Sequence, residues 1–449
     1  MNLRSTLREI FNYPTAVAGL MLILLLVAVS IYTVFAIPYD KAVSLWRGNE
    51  ADWYQNPKTA GPVWLNWFRA DKLPETISLN SAEDEAVTKT VEAKEKSKTI
   101  NFTFPVEYNY DSFPDDVSIY FTSKFESKPP FVGVSWITPD GREIRLSNFA
   151  INDRYTYRVG QDKKVSRKLG GSDAQIGLFA DPDSPDKKNP VPLKGSYQLK
   201  IEGVTFDSDA DINAELVVYG KLAGIAGTDH KRRDLSIALL WGTPIAISFG
   251  LLAAVGTSLA QLIIAGVGTW FGSWVDQLIQ RITEVNLVIP FLPVLIMIGT
   301  FYSRSIFLIL SAVIIFSIFG SGIKTYRAVF MQVKESPYIE AARSYGASNS
   351  RIIFMYMIPR LIPMLIPQFI VQVPSFVFLE ASLAVLGLGD PTLPTWGKII
   401  DESRANGALY QGLYYWVLQP SALLMITGLA FSVVGYAMDR IFNPRLRGQ

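Results

Sequence analysis

The chain contains no cysteine. Disulfides, thiol nucleophiles and cysteine-ligated zinc or iron–sulfur sites are therefore excluded. Any exterior domain has to stand on its apolar core alone. Histidine is nearly absent too, with His230 the single one in 449 residues. A multi-histidine metal centre cannot be built, and no nucleophile-elbow pattern accompanies His230 to complete a Ser-His-Asp triad. The phosphate loop G-x-x-x-x-G-K-[ST] is missing, because Gly397-Lys398 lacks both the upstream glycine and the following hydroxyl residue. Neither ATP hydrolysis nor a bound cofactor is expected of this chain. Charge is scarce as well. Charged residues make up 18% of the chain, against about 25% in soluble domains. A net charge of +2 leaves no electrostatic footprint for nucleic acid.

Apolar residues are plentiful, at 49% of the chain, and mean hydropathy is +0.22. A spanning helix needs about 20 mostly apolar residues. Six segments meet or approach that length: 15–37, 239–270, 285–302, 306–326, 361–386 and 416–438. The third holds Pro290 and Pro293, which a buried span tolerates. The first is too long for the apolar region of a signal peptide, and no A-x-A-like site follows it, so it reads as a retained span.

Basic residues then set an orientation. Arg4, Arg8, Arg281, Lys324, Arg327, Lys334, Arg343, Arg351, Arg360, Arg440, Arg445 and Arg447 all fall on one side, read as cytoplasmic. Lys231, Arg232 and Arg233 fall on the other side, after a long segment where the rule is weak. Both termini are expected in the cytoplasm.

Between the first and second apolar segments lie residues 38–234, far too many for a plain connection. Strand signals recur at 100–104, 117–122, 131–137, 196–201 and 214–219, with a hairpin turn at Pro139-Asp140-Gly141. Residues 82–98 are charged and read as a solvated helix or linker. Residues 181–186 read as a surface loop. The expectation is an exterior β-sandwich-like domain over about 99–222. Trp46, Trp53, Trp64 and Trp67 precede it. They suit packing at the membrane surface, or a binding surface for solute or for a delivery protein.

The segment 336–363 is ordered and basic. Ser336 and Pro337 suit a helix start. Ile339, Ala342 and Tyr345 share one face at helical spacing. Gly346 permits the left-handed conformation that ends a helix. Ser348 or Asn349 then caps a second short helix, and Pro359 and Pro363 start the next span. Two short helices on a membrane face read as a docking element.

That segment resembles the coupling loop of ABC importer permeases, Glu-Ala-Ala, three residues, Gly, nine residues, Ile-x-Leu-Pro. Here it reads Glu340-Ala341-Ala342, Gly346, then Tyr356-x-Ile358-Pro359, with Tyr and Ile where the family has Ile and Leu. Further segments are similar to the dipeptide/oligopeptide branch, second-permease (C-type) subunit: Gly227-Thr228-Asp229 with Arg233-Asp234, Gly272-Ser273-Trp274-Val275-Asp276, and Glu380-Ala-Ser-Leu with Leu386-Gly-Leu-Gly389 and Trp396-Gly397. Arg232 stands where that family has a second glycine, so a different turn is expected. The exterior domain lies outside the family's usual pattern.

The resemblance implies an α-helical membrane protein with six transmembrane helices of the type I ABC importer permease fold, plus the exterior domain inserted between the first two spans. Its parts are 1–37, 38–234 and 235–449, with the coupling loop at 337–359. It implies a second permease, two ATPase subunits that bind ATP and Mg, an external solute-binding protein and a cell membrane as partners. ATPase coupling would fall on Glu340, Ala341, Ala342, Gly346, Tyr356, Ile358 and Pro359. Glu380, an ionisable residue in a span, is a pathway candidate. Asp390 and Trp396 would form an outer gate or order their loop, and Glu284 lies near the cytoplasmic interface. Peptides are the default cargo, with oligosaccharides or nickel as alternatives. A membrane-anchored exterior sensor or assembly protein is the non-transport alternative.

Overall fold

The computed structural model describes residues 11–48, 51–94, 97–186, 189–207 and 209–442. Arg4, Arg8, Arg445 and Arg447 lie outside the described residues. Internal contacts divide the chain into two units, Met1–Arg47 with Ile237–Gln449, and Gly48–Ser236.

The chain enters through α1 (Pro14–Ala36) and α2 (Tyr39–Arg47). α1 has no charged residue. Ala16, Gly19, Leu26 and Thr33 form its buried stripe, while Met21, Leu24, Leu25 and Ile31 on its other faces are more than half exposed. That is the pattern of a helix whose remaining surface suits lipid.

The second unit is a two-sheet sandwich. Its strands are β1 (Ile77–Asn80), β2 (Thr88–Lys94), β3 (Ser97–Tyr108), β4 (Asp116–Lys124), β5 (Phe131–Ile137), β6 (Glu143–Ala150), β7 (Arg154–Arg158), β8 (Gly195–Thr205) and β9 (Asp211–Tyr219). One sheet has the order β1-β9-β4-β7 and the other β2-β3-β8-β5-β6. Alternation builds the core: β3 buries Ile100, Phe102, Phe104, Val106 and Tyr108, and β8 buries Tyr197, Leu199 and Ile201. Two short helices, α3 (Lys163–Lys168) and α4 (Ala174–Phe179), interrupt the strands. α4 inserts Phe179 against Tyr108, Trp136 and Tyr197, with ring centroids 4.5 to 5.3 Å away. This aromatic cluster supplies what disulfides would supply elsewhere.

Two expectations are corrected here. Residues 88–94 form β2, not a solvated helix or linker, and the sandwich begins at Ile77 rather than near 99. Among the described residues β2 pairs only with β3, from Thr88↔Thr103 to Lys94↔Ser97. As an edge strand it carries charge and one large apolar residue, Val91, which resists pairing with other chains but hides the strand pattern.

The first unit continues with α5 (Leu235–Phe271), α6 (Ser273–Val288), α7 (Phe291–Phe301), α8 (Ile306–Ile318), α9 (Ser321–Lys334), α10 (Pro337–Ser344), α11 (Asn349–Leu388), α12 (Trp396–Ala405) and α13 (Tyr414–Phe442). α1, α5, α11 and α13 are each long and apolar enough to cross a membrane. Two bent pairs raise the number to six where each counts as one span: α6 with α7, bent by 78°, and α8 with α9, bent by 43°. Pro290, which has no N–H to donate, stands at the first break. The amphipathic α6 also extends the third apolar run backwards to Ser273.

Candidate coupling and gate sites

The loop is built on three elements. Ser336 has the extended backbone of an N-cap and Pro337 opens the first turn of α10. The Ser336 hydroxyl does not cap the helix but donates to the Gln332 carbonyl. Ile339 and Ala342 are buried, whereas Tyr345 is 92% exposed. The spacing places Tyr345 on one face with Ile339 and Ala342, but α10 ends at Ser344 and Tyr345 leaves that face. The ending is a left-handed cap: Gly346 has φ +76, its N–H donates to the Arg343 carbonyl, and the Ala347 N–H donates to the Ala342 carbonyl, both at 3.0 Å. A Cβ at Gly346 would meet nothing within 4 Å. Its requirement is thus purely conformational.

Ser348 caps the next helix, accepting from the Arg351 N–H. That helix is not short. It runs through a π turn at Ile352–Met357 directly into the membrane helix as one element, so Pro359 lies inside α11 rather than starting a span. The wider i→i+5 turn just before Pro359 absorbs a residue that cannot donate.

Ile339, Ile352, Ile353 and Met357 pack with Leu262 and Trp270 of α5 and with Ile323, Tyr326 and Phe330 of α9. Charges clamp the same junction. Lys334 Nζ donates to the Thr269 and Trp270 carbonyls at 2.9 and 3.1 Å, closing the end of α5. The Arg343 guanidinium lies 5.3 Å from the Trp270 ring centre. Arg327 grips Asp276 in a two-pronged pair at 2.5 to 3.0 Å. α10 is therefore fixed to the ends of α5 and α9. Its outer surface shows Glu340, Ala341, Tyr345 and Gly346 to solvent, and Glu340 carries no ion pair among the described residues. Ala342 faces inward, Tyr356 and Ile358 are half-buried, and Pro359 is exposed. Glu284 is half exposed and pairs loosely with Arg281 and Lys324, at 3.5 and 3.7 Å.

The three gate candidates lie toward the far end of α11. Glu380 is buried against the Thr395 hydroxyl. Trp396 is 1% exposed, and its Nε1 donates to the Leu239 carbonyl of α5 at 2.9 Å. Asp390 accepts from the Thr392 N–H and hydroxyl and from the Ile306 N–H at the start of α8, at 2.6 to 3.2 Å. The structure thus brings Glu380, Thr395 and Trp396 together and ties Asp390 to another helix. At 1.5 Å per residue, roughly 30 Å of α11 separates Glu380 from Pro359.

In the second unit, the segment 227–234 forms a tight turn. Gly227 has φ +79 and Arg232 has φ +68. Arg232 therefore adopts the left-handed backbone that favours glycine, rather than a different turn. Its guanidinium sits 4.6 Å from the Tyr219 ring centre, and it donates to the Asn56 carbonyl at 2.5 Å. Beside it Asp229 and Arg233 form a fully buried ion pair at 2.5 Å. A cleft of about 600 Å³ opens on the outer face of the β1-β9-β4-β7 sheet, lined among others by Tyr54, Tyr120, Arg154, Arg158 and Glu215. Tyr54 donates to Glu215 at 2.7 Å, and burial with the Glu215 contact pushes its phenol up to about 12. The tryptophans do not line this cleft: Trp46 is buried in α2 and Trp67 is 80% exposed.

Residues 244–448 match the family described as binding-protein-dependent transport system inner membrane component. The chain is 28% identical over 224 residues to the dipeptide transport system permease protein DppC of Alkalihalophilus pseudofirmus, covering 49% of this chain and 72% of that one. It is 29% identical over 227 residues to the glutathione transport system permease protein GsiD of Pectobacterium atrosepticum, with coverages of 49% and 72%. Identity to the oligopeptide transport system permease protein OppC of Bacillus subtilis is 28% over 222 residues, again 49% and 72%. Several apolar helices and this match agree: the chain is a multi-pass membrane permease, and its residues 244–448 match the family of binding-protein-dependent transport system inner membrane components.

Proposed function

We propose that this chain forms half of the translocation pathway of an ATP-driven importer for di- and oligopeptides. The observation that carries the reading is the α10 loop, with its Glu-Ala-Ala and Gly spacing, its packed inner face and its open outer face. In this reading Glu340, Ala341 and Gly346 present the surface that enters a groove on an ATPase partner. Ala342, Tyr356, Ile358 and Pro359 hold that surface on α11. Closure of the ATPases moves α10 as a rigid body, and the long α11 carries the displacement toward Glu380 and the Trp396 loop. Each bent pair counts as one span, giving six. The basic loop ends and both termini face the cytoplasm, and the sandwich of the second unit lies outside, inserted between the first two spans. A second permease, two ATPases and an external binding protein complete the assembly.

The test is co-purification. Glu340→Ala combined with Gly346→Asp is expected to lose the ATPase subunits and substrate-stimulated ATP turnover. Retention of both by the double variant would refute the docking assignment.

A further inference from the structure

The two breaks in the helical unit meet at one cleft of about 360 Å³. Asn286 comes to it from the end of α6 and Gly322 from the start of α9. α5 contributes Thr257 and Gln261, and α11 contributes Gln368 and Gln372. Four carboxamides thus share one cleft, and among the described residues no charged side chain lines it. Polar groups among apolar membrane helices are costly unless they are satisfied or line a path for something polar.

Part of that polarity supports the breaks. Gln261 Nε2 donates to the Ser317 carbonyl at 2.8 Å. Asn286 Nδ2 donates to the Phe316 and Phe319 carbonyls at 2.9 and 3.1 Å. The Ser258 hydroxyl donates to Gln372 Oε1 at 2.9 Å. Support does not account for the rest. Gln261 and Thr257 are 4% and 2% exposed, yet Gln261 Oε1 and the Thr257 hydroxyl have no hydrogen-bond partner among the described residues. Gly322 makes room for the first of these, since a Cβ there would lie 2.0 Å from Gln261 Oε1. A glycine that admits an unsatisfied amide, at the meeting of two broken spans, is built for an occupant that brings its own hydrogen bonds.

We propose that this cleft is a binding station for the main chain of a transported peptide. It rests on the peptide-import reading above and names the recognition chemistry. A peptide group offers one N–H and one C=O, the same pair that a carboxamide offers. Gln261 Oε1 accepts from a peptide N–H, and the Thr257 hydroxyl donates to a peptide C=O. The lack of charge means that the station reads neither the termini nor acidic or basic side chains. It holds what every peptide shares, so cargo of varied sequence passes.

The cysteine-free chain makes the test direct. Gln368→Cys and Gln372→Cys each place a single thiol in this subunit. The assembled transporter in proteoliposomes is treated with a charged thiol reagent, with tri-alanine as the probe, and labelling is read from the mass of this chain. Both thiols are expected to label, and tri-alanine is expected to slow labelling at least five-fold. Trisarcosine, an isomer of tri-alanine with no peptide N–H, is expected not to protect. Gln261→Leu is expected to lower tri-alanine uptake about ten-fold while the complex still assembles. Wild-type uptake is measured alongside. If the wild type imports tri-alanine but the thiols do not label, or label at an unchanged rate with the probe, the station is overturned and the import reading stands. Equal protection by trisarcosine, or normal uptake by Gln261→Leu, also overturns it. If the wild type imports no peptide, both readings fall together.

Discussion

Trp396 stands in the notch that Gly242 leaves in α5. A Cβ at position 242 would lie 2.2 Å from the Trp396 ring, and the indole N–H donates to the Leu239 carbonyl one turn earlier. Pro244 follows within the same helix, where it interrupts the regular ladder. The indole is therefore both a wedge and a hydrogen-bond supplement at a weakened point of a membrane helix. Gly242→Ala is expected to push the indole out and cost about 1–3 kcal/mol, the usual range for overpacking. Trp396→Ala is expected to cost about 3–5 kcal/mol through the cavity it leaves. Thermal unfolding in detergent, followed by scanning fluorimetry, checks both. A melting temperature unchanged by Gly242→Ala would show that the contact carries no weight.

Gly346 poses a different question, because space around it is open and only its φ of +76 is demanding. Gly346→Ala is expected to destabilise the α10 cap by about 1 kcal/mol, and Gly346→Asn by less, since asparagine tolerates this conformation. In the coupling reading, ATPase co-purification should follow the order Gly, Asn, Ala. Equal recovery with all three residues would separate the cap from docking.

Much of this was legible in the sequence where periodicity is strong. The alternation in β3 and the apolar runs of α1 and α13 announce their elements unaided. β7, reading Arg-Tyr-Thr-Tyr-Arg, does not, because its edge position leaves most of it exposed. The turn glycine at 346 was readable from residue type, but the exposure of Tyr345 was not. It depends on α10 ending one residue sooner than the apolar spacing suggests. The Trp396 hydrogen bond joins residues 157 positions apart, and the Gln261 cleft gathers six helices. Pattern reading along the chain has no access to such meetings. The breaks at Ile289–Pro290 and Phe319–Gly320 were likewise hidden inside runs that looked continuous.

The sandwich offers a sharp boundary test. A fragment spanning 99–222 lacks β1, β2 and the first residues of β3, which removes one edge strand from each sheet. A fragment spanning 51–236 keeps all nine strands and the buried Asp229–Arg233 pair. The longer fragment is expected to give dispersed amide resonances and a cooperative melt, and the shorter one to aggregate or melt broadly. Equivalent cooperative melts from both would mean that β1 and β2 are dispensable ornaments.

Asp207 makes a prediction about acid. Its carboxylate accepts from the Glu126 and Ser127 N–H groups at 2.9 Å each and from the Ser127 hydroxyl. These donors, the Ser127 hydroxyl foremost, hold its pKa down from 3.8 to about 2. The bonds favour the charged form in the folded state only. Above about pH 4 the carboxylate is ionised in both states, so the stabilisation is complete. As pH falls from 4 toward 2, the unfolded chain takes up the proton first and that stabilisation drains away. Asp115 and Asp116, raised mainly by burial, act in the opposite sense as they titrate, so the wild-type curve alone is ambiguous. The comparison with Asp207→Asn isolates the effect. The melting temperature of the wild-type 51–236 fragment should exceed that of the variant above pH 4, and the gap should close between pH 4 and 2. A gap that stays constant across that window would mean that Asp207 contributes through shape rather than charge.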